Sequence, residues 1–239
     1  MTSALGSPET FGTVYNDQLA LRLAVRLCDP TGIFVDVGAH IGSVSAAVLR
    51  RHPRSRVIAI EAIPEKAEHL KRKFPEVDVR SCAVAARPGK AAFFVDVARS
   101  GYSSLLPAEN GRQIEVELSR LDDLLPSEEV SVVKIDVEGA ELGVLLGADA
   151  VTKRSRPVFV FESAPTAMDD KPGIWQWFSE RDYALCIPER VPHYDDGLAL
   201  DCFLDSHLFP RRATNYVALP RERRLELRSR ARASLKLVA

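Results

Sequence analysis

Short apolar runs alternate with amphipathic segments along most of this chain. The runs are rich in β-branched residues and have the length of strands, whereas the segments between them repeat apolar residues at helical spacing. Such alternation predicts right-handed crossovers and a parallel sheet covered by helices on both faces, which is an α/β fold. The predicted elements are a helix at 14–28, strands at 33–38, 57–62, 78–84, 131–139 and 156–163, and intervening helices at 43–51, 64–73 and 140–150.

The alternation of predicted strands and helices is interrupted between residues 87 and 120. Two alternating runs, AAFFVDV and QIEVELS, predict strands, so we expect an inserted β-hairpin near 91–119. The polar loop that joins them contains Ser100, Gly101, Ser103 and Ser104. Beyond residue 163 an aromatic segment predicts one more helix, and two short strands complete a mostly parallel seven-stranded sheet. This helix lies around Trp175 to Phe178, and the strands lie at 183–187 and 215–219.

The length of 239 residues suits one domain with a substantial core. We expect that domain to span 1–219, with a loose start at 1–12, and residues 220–239 to form a basic helical tail. From Pro220 onward seven Arg or Lys residues stand against two Glu residues. A solvated terminal helix is favoured for this tail, and contact with an acidic partner or a membrane surface is the alternative.

The net charge of −1 argues against a protein built to bind a nucleic-acid backbone. The sequence shows no signal-peptide pattern and no apolar run near the roughly 20 residues that a membrane helix needs. The four cysteines are scattered and form no C-x-x-C pair, which favours reduced thiols in a cytoplasmic protein over disulfides or a zinc site. They are Cys28, Cys82, Cys186 and Cys202.

The segment IFVDVGAHIG, residues 33–42, predicts a strand that ends in a tight turn and leads into a helix. In a parallel sheet such a turn lies at the carboxyl edge, where ligands bind. Gly38 and Gly42 tolerate positive φ and would let a ligand approach the backbone. Glu61 ends the next strand about 20 residues later, where an acidic side chain can bind a ribose. Together these features predict an adenosine-like ligand.

The middle of the turn indicates which ligand this is. A dinucleotide fingerprint would place glycines where this chain has His40 and Ser43. The strand instead ends with Asp36, and a carboxylate suits a ligand that carries an ammonium and a sulfonium. We therefore predict S-adenosylmethionine. A turn of purely structural use is the alternative.

A second concentration of polar residues lies at the end of the predicted strand at 131–139. Asp136, Glu138 and Glu141 could hold a cation, bind a substrate hydroxyl or cap the next helix. Helix capping is the favoured role of Glu141. For Glu138, capping is as well supported as the other two roles together, and Asp136 is the least suited of the three residues to capping.

Several motifs give the chain its resemblance to a known family, the FkbM-type S-adenosylmethionine-dependent methyltransferases. The resemblance runs from about 17 to 219 and implies a Rossmann-like class I methyltransferase fold. Members mostly methylate hydroxyl groups of sugars, glycolipids or natural products. One departure is His40, where the family commonly carries Asn. The motifs are FVDVGAHIGSVS, IEAIPE, RSCAVAARPGKAAFFV, SSL at 103–105, LSRLDDLL and VKIDVEGAELGVLLGA.

The resemblance also implies roles for individual residues. Asp136 would lie next to the transferred methyl group, Glu61 would hold the ribose, and Ala62 would lie beside the adenine. The adenine edge would meet Ala83 and Val84. The methionine part of the cofactor would be wrapped by Asp36, Gly38, Ala39, His40 and Gly42.

Methylation of an alcohol benefits from a base or a metal, because a neutral hydroxyl is a poor nucleophile. The candidate bases are Asp136, Glu138, Glu162 and His193, although His193 could equally be an exposed loop residue. Mg²⁺ is possible, but no spacing motif supports it, and we predict no metal site. Its candidate ligands are Asp136, Glu138, Glu162, Asp195 and Asp196. The aromatic side chains of Trp175, Trp177 and Phe178 could stack on a sugar, but core packing suits at least two of them better.

The leading hypothesis is therefore an O-methyltransferase that acts on a hydroxyl of a small molecule or glycan. A nucleic-acid methyltransferase is disfavoured, because IDVEGA lacks the Asn/Asp-Pro-Pro-aromatic segment that base methylation uses. A peptide acceptor, a nicotinamide-dependent oxidoreductase and a non-catalytic subunit remain as alternatives, and the oligomeric state is open.

Overall fold

A computed structural model describes residues 8–96, 111–163, 170–193, 196–208 and 213–235 of the chain. The polar loop with Ser100, Gly101, Ser103 and Ser104, and the candidate ligand Asp195, lie outside the described residues.

The main sheet has seven strands in the order β3-β2-β1-β7-β8-β10-β9. Neighbouring strands run parallel, except that β10 is antiparallel to both β8 and β9. The predicted mostly parallel seven-stranded sheet is therefore confirmed. Its strands are β1 (Ile33–Val37), β2 (Arg56–Glu61), β3 (Asp78–Ser81), β7 (Val130–Ile135), β8 (Val158–Glu162), β9 (Tyr183–Cys186) and β10 (Asn215–Pro220).

A smaller, three-stranded sheet holds the predicted hairpin. It contains β4 (Ala83–Val84), β5 (Gly89–Asp96) and β6 (Gly111–Ser119), with β5 and β6 antiparallel and β4 parallel to β6. The strand predicted at 78–84 is thus wrong in one respect, since it divides between two sheets. The reason is that β3 pairs with β2 only as far as Ser81, where β2 ends, and the chain then turns to a new partner.

Nine α-helices accompany these strands within the described part of the chain. They are α1 (Pro8–Leu27), α2 (Ser43–Arg51), α3 (Pro64–Lys73), α4 (Leu121–Leu124), α5 (Glu141–Leu146), α6 (Asp149–Ser155), α7 (Lys171–Ser179), α8 (Leu200–Ser206) and α9 (Arg224–Leu235). The expected loose start at 1–12 is wrong from Pro8 onward, where α1 begins. The helix predicted at 140–150 is interrupted, because the carbonyl of Gly147 accepts a hydrogen bond from Asp122 N–H at 2.9 Å.

Helices cover both faces of the main sheet, as the alternation predicts. One face packs against α1, α2, α3 and α9, and the other packs against α4 to α8. Trp177 and Phe178 are buried in the second layer, so core packing describes them correctly. Trp175 is partly buried, and its indole N–H donates to the carbonyl of Leu198 at 2.8 Å.

The basic tail is part of the fold. The helix predicted there is present as α9, but Leu227 and Ala231 are fully buried in the core layer that also contains α1. Arg230 donates to the carbonyl of Leu27 and lies 2.7 Å from the carboxylate of Asp29. The expected solvated helix is therefore wrong for this face of α9, because its small and apolar residues close the sheet layer.

Across the described ranges, the structure contains no helix that combines the length and the apolar character needed to cross a membrane.

Candidate active site

A cavity of about 360 Å³ opens at the carboxyl ends of β1, β2, β7 and β8. Nine of the residues predicted to bind the cofactor or to act in catalysis line it, namely Gly38, His40, Glu61, Ala62, Ala83, Val84, Asp136, Glu138 and Glu162. The other lining residues have no predicted cavity role. They are Asp17, Val37, Ile60, Ile63, Lys66, Cys82, Phe93, Val137 and Ala140.

The two glycines of the turn after β1 have positive φ, at 76° for Gly38 and 77° for Gly42. A Cβ on Gly38 would lie 1.9 Å from the carbonyl oxygen of Asp136, so this glycine lets two loops of the protein meet. A Cβ on Gly42 would instead strike Phe74 and Leu70 beside α3. The side of Gly42 that lacks a Cβ is thus filled by the protein's own core, and Gly42 is not among the residues that line the cavity. Its contact with a ligand stays a prediction.

His40 lies in the same turn with a φ of 50°, in the left-handed region. Asn, Asp and His are the non-glycine residues most enriched there, which explains how His can stand where the family commonly carries Asn. The backbone N–H of His40 donates to Glu61 Oε2 at 2.8 Å. Ala39 is buried, and its N–H bonds to the carbonyl of Ile60, so its contribution is to the turn and not to the cavity wall.

Glu61 joins the two turns that border the cavity. Its Oε2 accepts from His40, and its Oε1 accepts from the N–H of Ile63 at 2.9 Å. Burial raises the pKa of Glu61, against the opposing effect of these N–H groups and of the Lys66 ammonium. The side chain is only 6% exposed and still lines the cavity. Glu61 therefore shapes the two turns as well as lining the cavity.

Asp36 lies beneath the turn. It is fully buried, its Oδ2 accepts from Ser45 Oγ at 2.7 Å, and its Oδ1 lies 3.7 Å from the ammonium of Lys134. The prediction that Asp36 wraps the methionine part of the cofactor is not met by this geometry, because α2 and β7 enclose the carboxylate. The strand pattern fixed its position at the end of β1, but it could not show which groups would cover it.

Three carboxylates meet at the opposite end of the cavity. Oxygen atoms of Asp136, Glu138 and Glu162 all lie within 4.8 Å of one another. Lys134 Nζ donates to Asp136 Oδ2 at 2.9 Å. Glu141, by contrast, is buried and accepts from the N–H of Gly139 at 3.0 Å. The predicted helix cap is therefore wrong in its target, because Glu141 is the first residue of α5 and its side chain bonds the preceding loop.

The two carboxyl groups at the ends of β7 and β8 differ in their protonation. Burial, the charges of Asp136, Glu138 and Asp17, and a hydrogen bond with Asp136 raise the pKa of Glu162 to about 9. Burial would also raise the pKa of Asp136, but the adjacent Lys134 ammonium and the Glu162 hydrogen bond outweigh it and lower that pKa. A neutral Glu162 thus donates to an ionised Asp136 near neutral pH.

The three carboxylates also bear on a metal. Their spacing would admit one cation. Lys134 already places a positive charge on Asp136, however, with its Nζ 2.9 Å from Oδ2, so one of the oxygens that Mg²⁺ would prefer is bonded to an ammonium. The described groups therefore form a lysine-paired cluster of carboxyl groups, and we assign no metal to it.

His193 lies elsewhere. It borders a separate hollow with residues of α1, the 3₁₀ helix at 188–190 and the end of α9, among them Tyr15, Arg22 and Leu235. Its carbonyl accepts from Arg224 at 3.2 Å. The structure therefore does not bring this candidate base to the carboxylates. Its polar loop gave no signal of which side of α1 it would occupy.

Comparison with known proteins places this site in a family. The model of the FkbM methyltransferase domain matches residues 36–185. This range includes β2, β3, β7 and β8 in full and β1 and β9 in part, and it does not include β10. The chain belongs to the FkbM methyltransferase family. The predicted resemblance is confirmed.

Two curated fungal proteins are similar over part of their length. Methyltransferase sdnD from Sordaria araneosa is 28% identical, with 48% of this chain and 60% of that protein covered. Methyltransferase 1 from Beauveria bassiana is 25% identical, with 48% and 57% covered. The chain therefore spans less than two thirds of either relative.

A solved structure supports the fold. The crystal structure of methyltransferase FkbM from Methylobacillus flagellatus superimposes with a TM-score of 0.50 at 16% identity, covering 86% of this chain and 59% of that one. The predicted Rossmann-like class I methyltransferase fold is confirmed.

Proposed function

We propose that this protein is an S-adenosylmethionine-dependent O-methyltransferase whose acceptor is a hydroxyl group of a sugar, a glycolipid or a natural product. The observation that carries the proposal is one cavity with two unlike ends. A slot of small and apolar side chains lies at one end, and an ionised carboxylate paired with a neutral one lies at the other.

The residues of the first end fit the cofactor. A carboxylate oxygen can accept two hydrogen bonds, so both oxygens of Glu61 retain an acceptor position for a ribose hydroxyl. Ala62, Ala83, Val84 and Phe93 would flank the adenine. Gly38 and His40 would border the methionine part. The volume of about 360 Å³ is in the range of small-molecule sites.

The residues of the second end fit the acceptor. When bound, S-adenosylmethionine supplies an electrophilic methyl group, and the protein must orient the hydroxyl for in-line attack. Asp136 would accept the hydroxyl proton, while the protonated Glu162, whose one O–H donates to Asp136, would hold that carboxylate in place. A second hollow of about 210 Å³ reaches Asp17, Asp136 and Glu162 from the side of α1. Its other walls include Leu21 and Val44, which suits a small organic acceptor.

The transfer step is tested with Asp136→Asn, which keeps the shape of the side chain but cannot accept the proton. Radiolabelled methyl transfer is measured against a panel of hydroxylated sugars, glycolipids and polyketides. We expect a loss of at least about 100-fold with near-normal S-adenosylhomocysteine affinity. Asp123→Asn, at an exposed site on α4, is the control. Transfer that survives in Asp136→Asn would remove Asp136 from the role of base.

The cofactor is tested by calorimetry with S-adenosylhomocysteine. Glu61→Ala should weaken binding by roughly 1.5–3 kcal/mol, because a charge-assisted hydrogen bond is lost and the two turns are no longer joined. Glu65→Ala, an exposed carboxylate at the start of α3 that pairs with Arg112, should bind like the parent. Equal affinities in the two variants would contradict the ribose role.

We also propose a reducing compartment, the cytoplasm, as the place of action. All four cysteines are free thiols, and Cys28, Cys82 and Cys186 are buried. Thiols of this kind are typical of proteins that the cytoplasm keeps reduced.

A further inference from the structure

One lysine lies beside the charged end of the cavity, in the wall of the second hollow, in a position that the apolar pattern does not require. Lys134 is on β7 in register with Asp36 of β1 and Val160 of β8, and its side chain is only 14% exposed. Residues on either side of it in β7, Val133 and Ile135, are fully buried. A buried ammonium is costly unless it is paired, so the identity of its partners indicates what it does.

The ammonium of Lys134 reaches three oxygen atoms that belong to different parts of the site. It lies 2.9 Å from Asp136 Oδ2, 3.4 Å from the carbonyl oxygen of Gly38 and 3.7 Å from Asp36 Oδ1. The first two contacts are hydrogen bonds, and the third is an ion pair beyond hydrogen-bond distance. A single side chain therefore connects the loop after β7, the turn after β1 and the buried carboxylate beneath that turn.

We propose that Lys134 is a positioning residue for methyl transfer, which orients the Asp136 carboxylate toward the cavity and ties it to the Gly38 turn. The proposal rests on the proposed function only for the role of Asp136 in the transfer step. The contact itself stands on the distances above.

The distances also separate this role from simple neutralisation of a buried charge. A lysine that served only Asp36 would make its shortest contact there, but the Asp36 contact is the longest of the three. Ser45 already bonds the other oxygen of Asp36. The shortest contact goes instead to Asp136, which faces the cavity and has 37% of its side chain exposed.

The charges around Asp136 agree with this assignment. Glu162 on β8, Asp17 on α1 and Glu138 in the next loop all face it as carboxyl groups, and His40 faces it from the turn. Burial alone would lower the pKa of Lys134, but the charges of Asp136 and Asp36 outweigh it and raise that pKa. The lysine therefore keeps its charge at the pH where the transfer would occur.

The first test measures Asp136 directly and needs no acceptor. Protein labelled with ¹³C at the aspartate carboxyl is titrated by NMR, and Asp136 is assigned by the signal lost in Asp136→Asn. In the wild type the midpoint should fall below the ordinary value of about 3.9. In Lys134→Met it should rise by about one unit or more, and Lys134→Arg, which keeps the charge, should restore most of the shift.

The second test asks whether the contact matters for transfer. In Lys134→Met we expect methyl transfer at neutral pH to fall at least about tenfold through kcat, with the KM for S-adenosylmethionine changed less than about threefold. Lys134→Arg should recover much of the rate. Lys153→Met, at an exposed position on α6, should match the wild type in every measurement.

The outcomes are distinguishable. A wild-type midpoint at or above about 3.9, or one that does not move in folded Lys134→Met, would overturn the proposal. If Lys134→Met does not fold, the wild-type midpoint and the Lys134→Arg rate decide it. If the wild type transfers methyl to no hydroxylated compound, the proposed function fails, while the titration still shows whether Lys134 holds Asp136.

Discussion

The two ends of the cavity are built in different ways. The apolar end is a small cluster in which Ile63, Ala83, Phe93 and Val116 come from a turn, from β4 and from the hairpin of the second sheet. The charged end comes from adjacent parallel strands of the main sheet, whose register brings their last side chains together. The apolar end therefore depends on how separate elements pack, and the charged end depends on where neighbouring strands end.

This difference has an energetic consequence. The apolar end is stabilised by burial, so a change of shape there costs in proportion to the contacts that are lost. The charged end depends on each member keeping its partner, since an unpaired buried charge is far more costly than a lost methyl group. Substitutions that keep the side-chain volume should therefore change the stability little at the apolar end and more strongly at the charged end.

The largest effect is expected where the turn of β1 touches the charged end. In Gly38→Ala the new Cβ would meet the carbonyl oxygen of Asp136 at 1.9 Å, and φ is 76°. We expect a loss of about 3–5 kcal/mol in the free energy of unfolding, measured with urea. The matched change Gly143→Ala in α5 meets no atom within 4 Å and should be neutral or stabilise by up to about 1 kcal/mol. Similar values for both would show that the turn can relax.

A smaller, pH-dependent effect is expected at the acid pair itself. Because the pKa of Glu162 is raised to about 9, the folded protein holds a proton that the unfolded chain releases above about pH 4.5. The stability contributed by this group is therefore complete below that pH and is lost as the pH rises toward 9. Glu162→Gln still donates to Asp136 but has no proton to lose.

We expect Glu162→Gln to match the wild type near pH 4.5 and to exceed it by about 1–3 kcal/mol at pH 8. Urea unfolding at both pH values provides the comparison, with the exposed Glu129→Gln as control. A difference that is the same at both pH values would mean that Glu162 is ionised in the folded protein, and the picture of a neutral and an ionised partner would be wrong.

The contrast between the two ends also explains what the sequence could predict. Asp136, Glu61 and Glu162 were identified because carboxyl ends of parallel strands meet at one edge, so strand boundaries alone bring these residues together. A lysine inside the apolar run VSVVKI was a signal for Lys134, since such a residue needs a partner, but its partners come from register and not from spacing.

Other features depend on contacts that no local pattern contains. Phe93 reaches the cavity only because β5 pairs in a second sheet. The glycine spacing predicted positive φ at Gly42 correctly, but it could not show that Phe74 fills the open side. The same holds for α9, whose arginines suggested solvent although Leu227 and Ala231 complete the core.

Substitutions at the apolar end of the cavity should have small effects on stability and binding. Phe93→Leu keeps most of the volume, so we expect a loss of about 1 kcal/mol in stability and a few-fold weaker binding of S-adenosylhomocysteine by calorimetry. Phe94→Leu is the matched control, because the next residue of a strand points to the opposite face and Phe94 is only partly buried. If both variants bind S-adenosylhomocysteine equally well, the cluster around Phe93 does not bind the adenine.

The smallest effect is expected at His193, outside both ends. Its hollow is walled by Tyr15, Arg22 and Leu235, and the hydrogen bonds that hold its loop use its backbone N–H and carbonyl groups. His193→Ala keeps those bonds. We therefore expect a melting temperature within a few degrees of the wild type, and an S-adenosylhomocysteine affinity and a rate of methyl transfer within about twofold of it. The rate of methyl transfer is the sharpest readout, because loss of a general base typically slows that step by about 10²- to 10⁴-fold. If this variant loses methyl transfer while Asp136→Asn stays active, the base is His193 in the loop beyond β9 and not Asp136 at the end of β7.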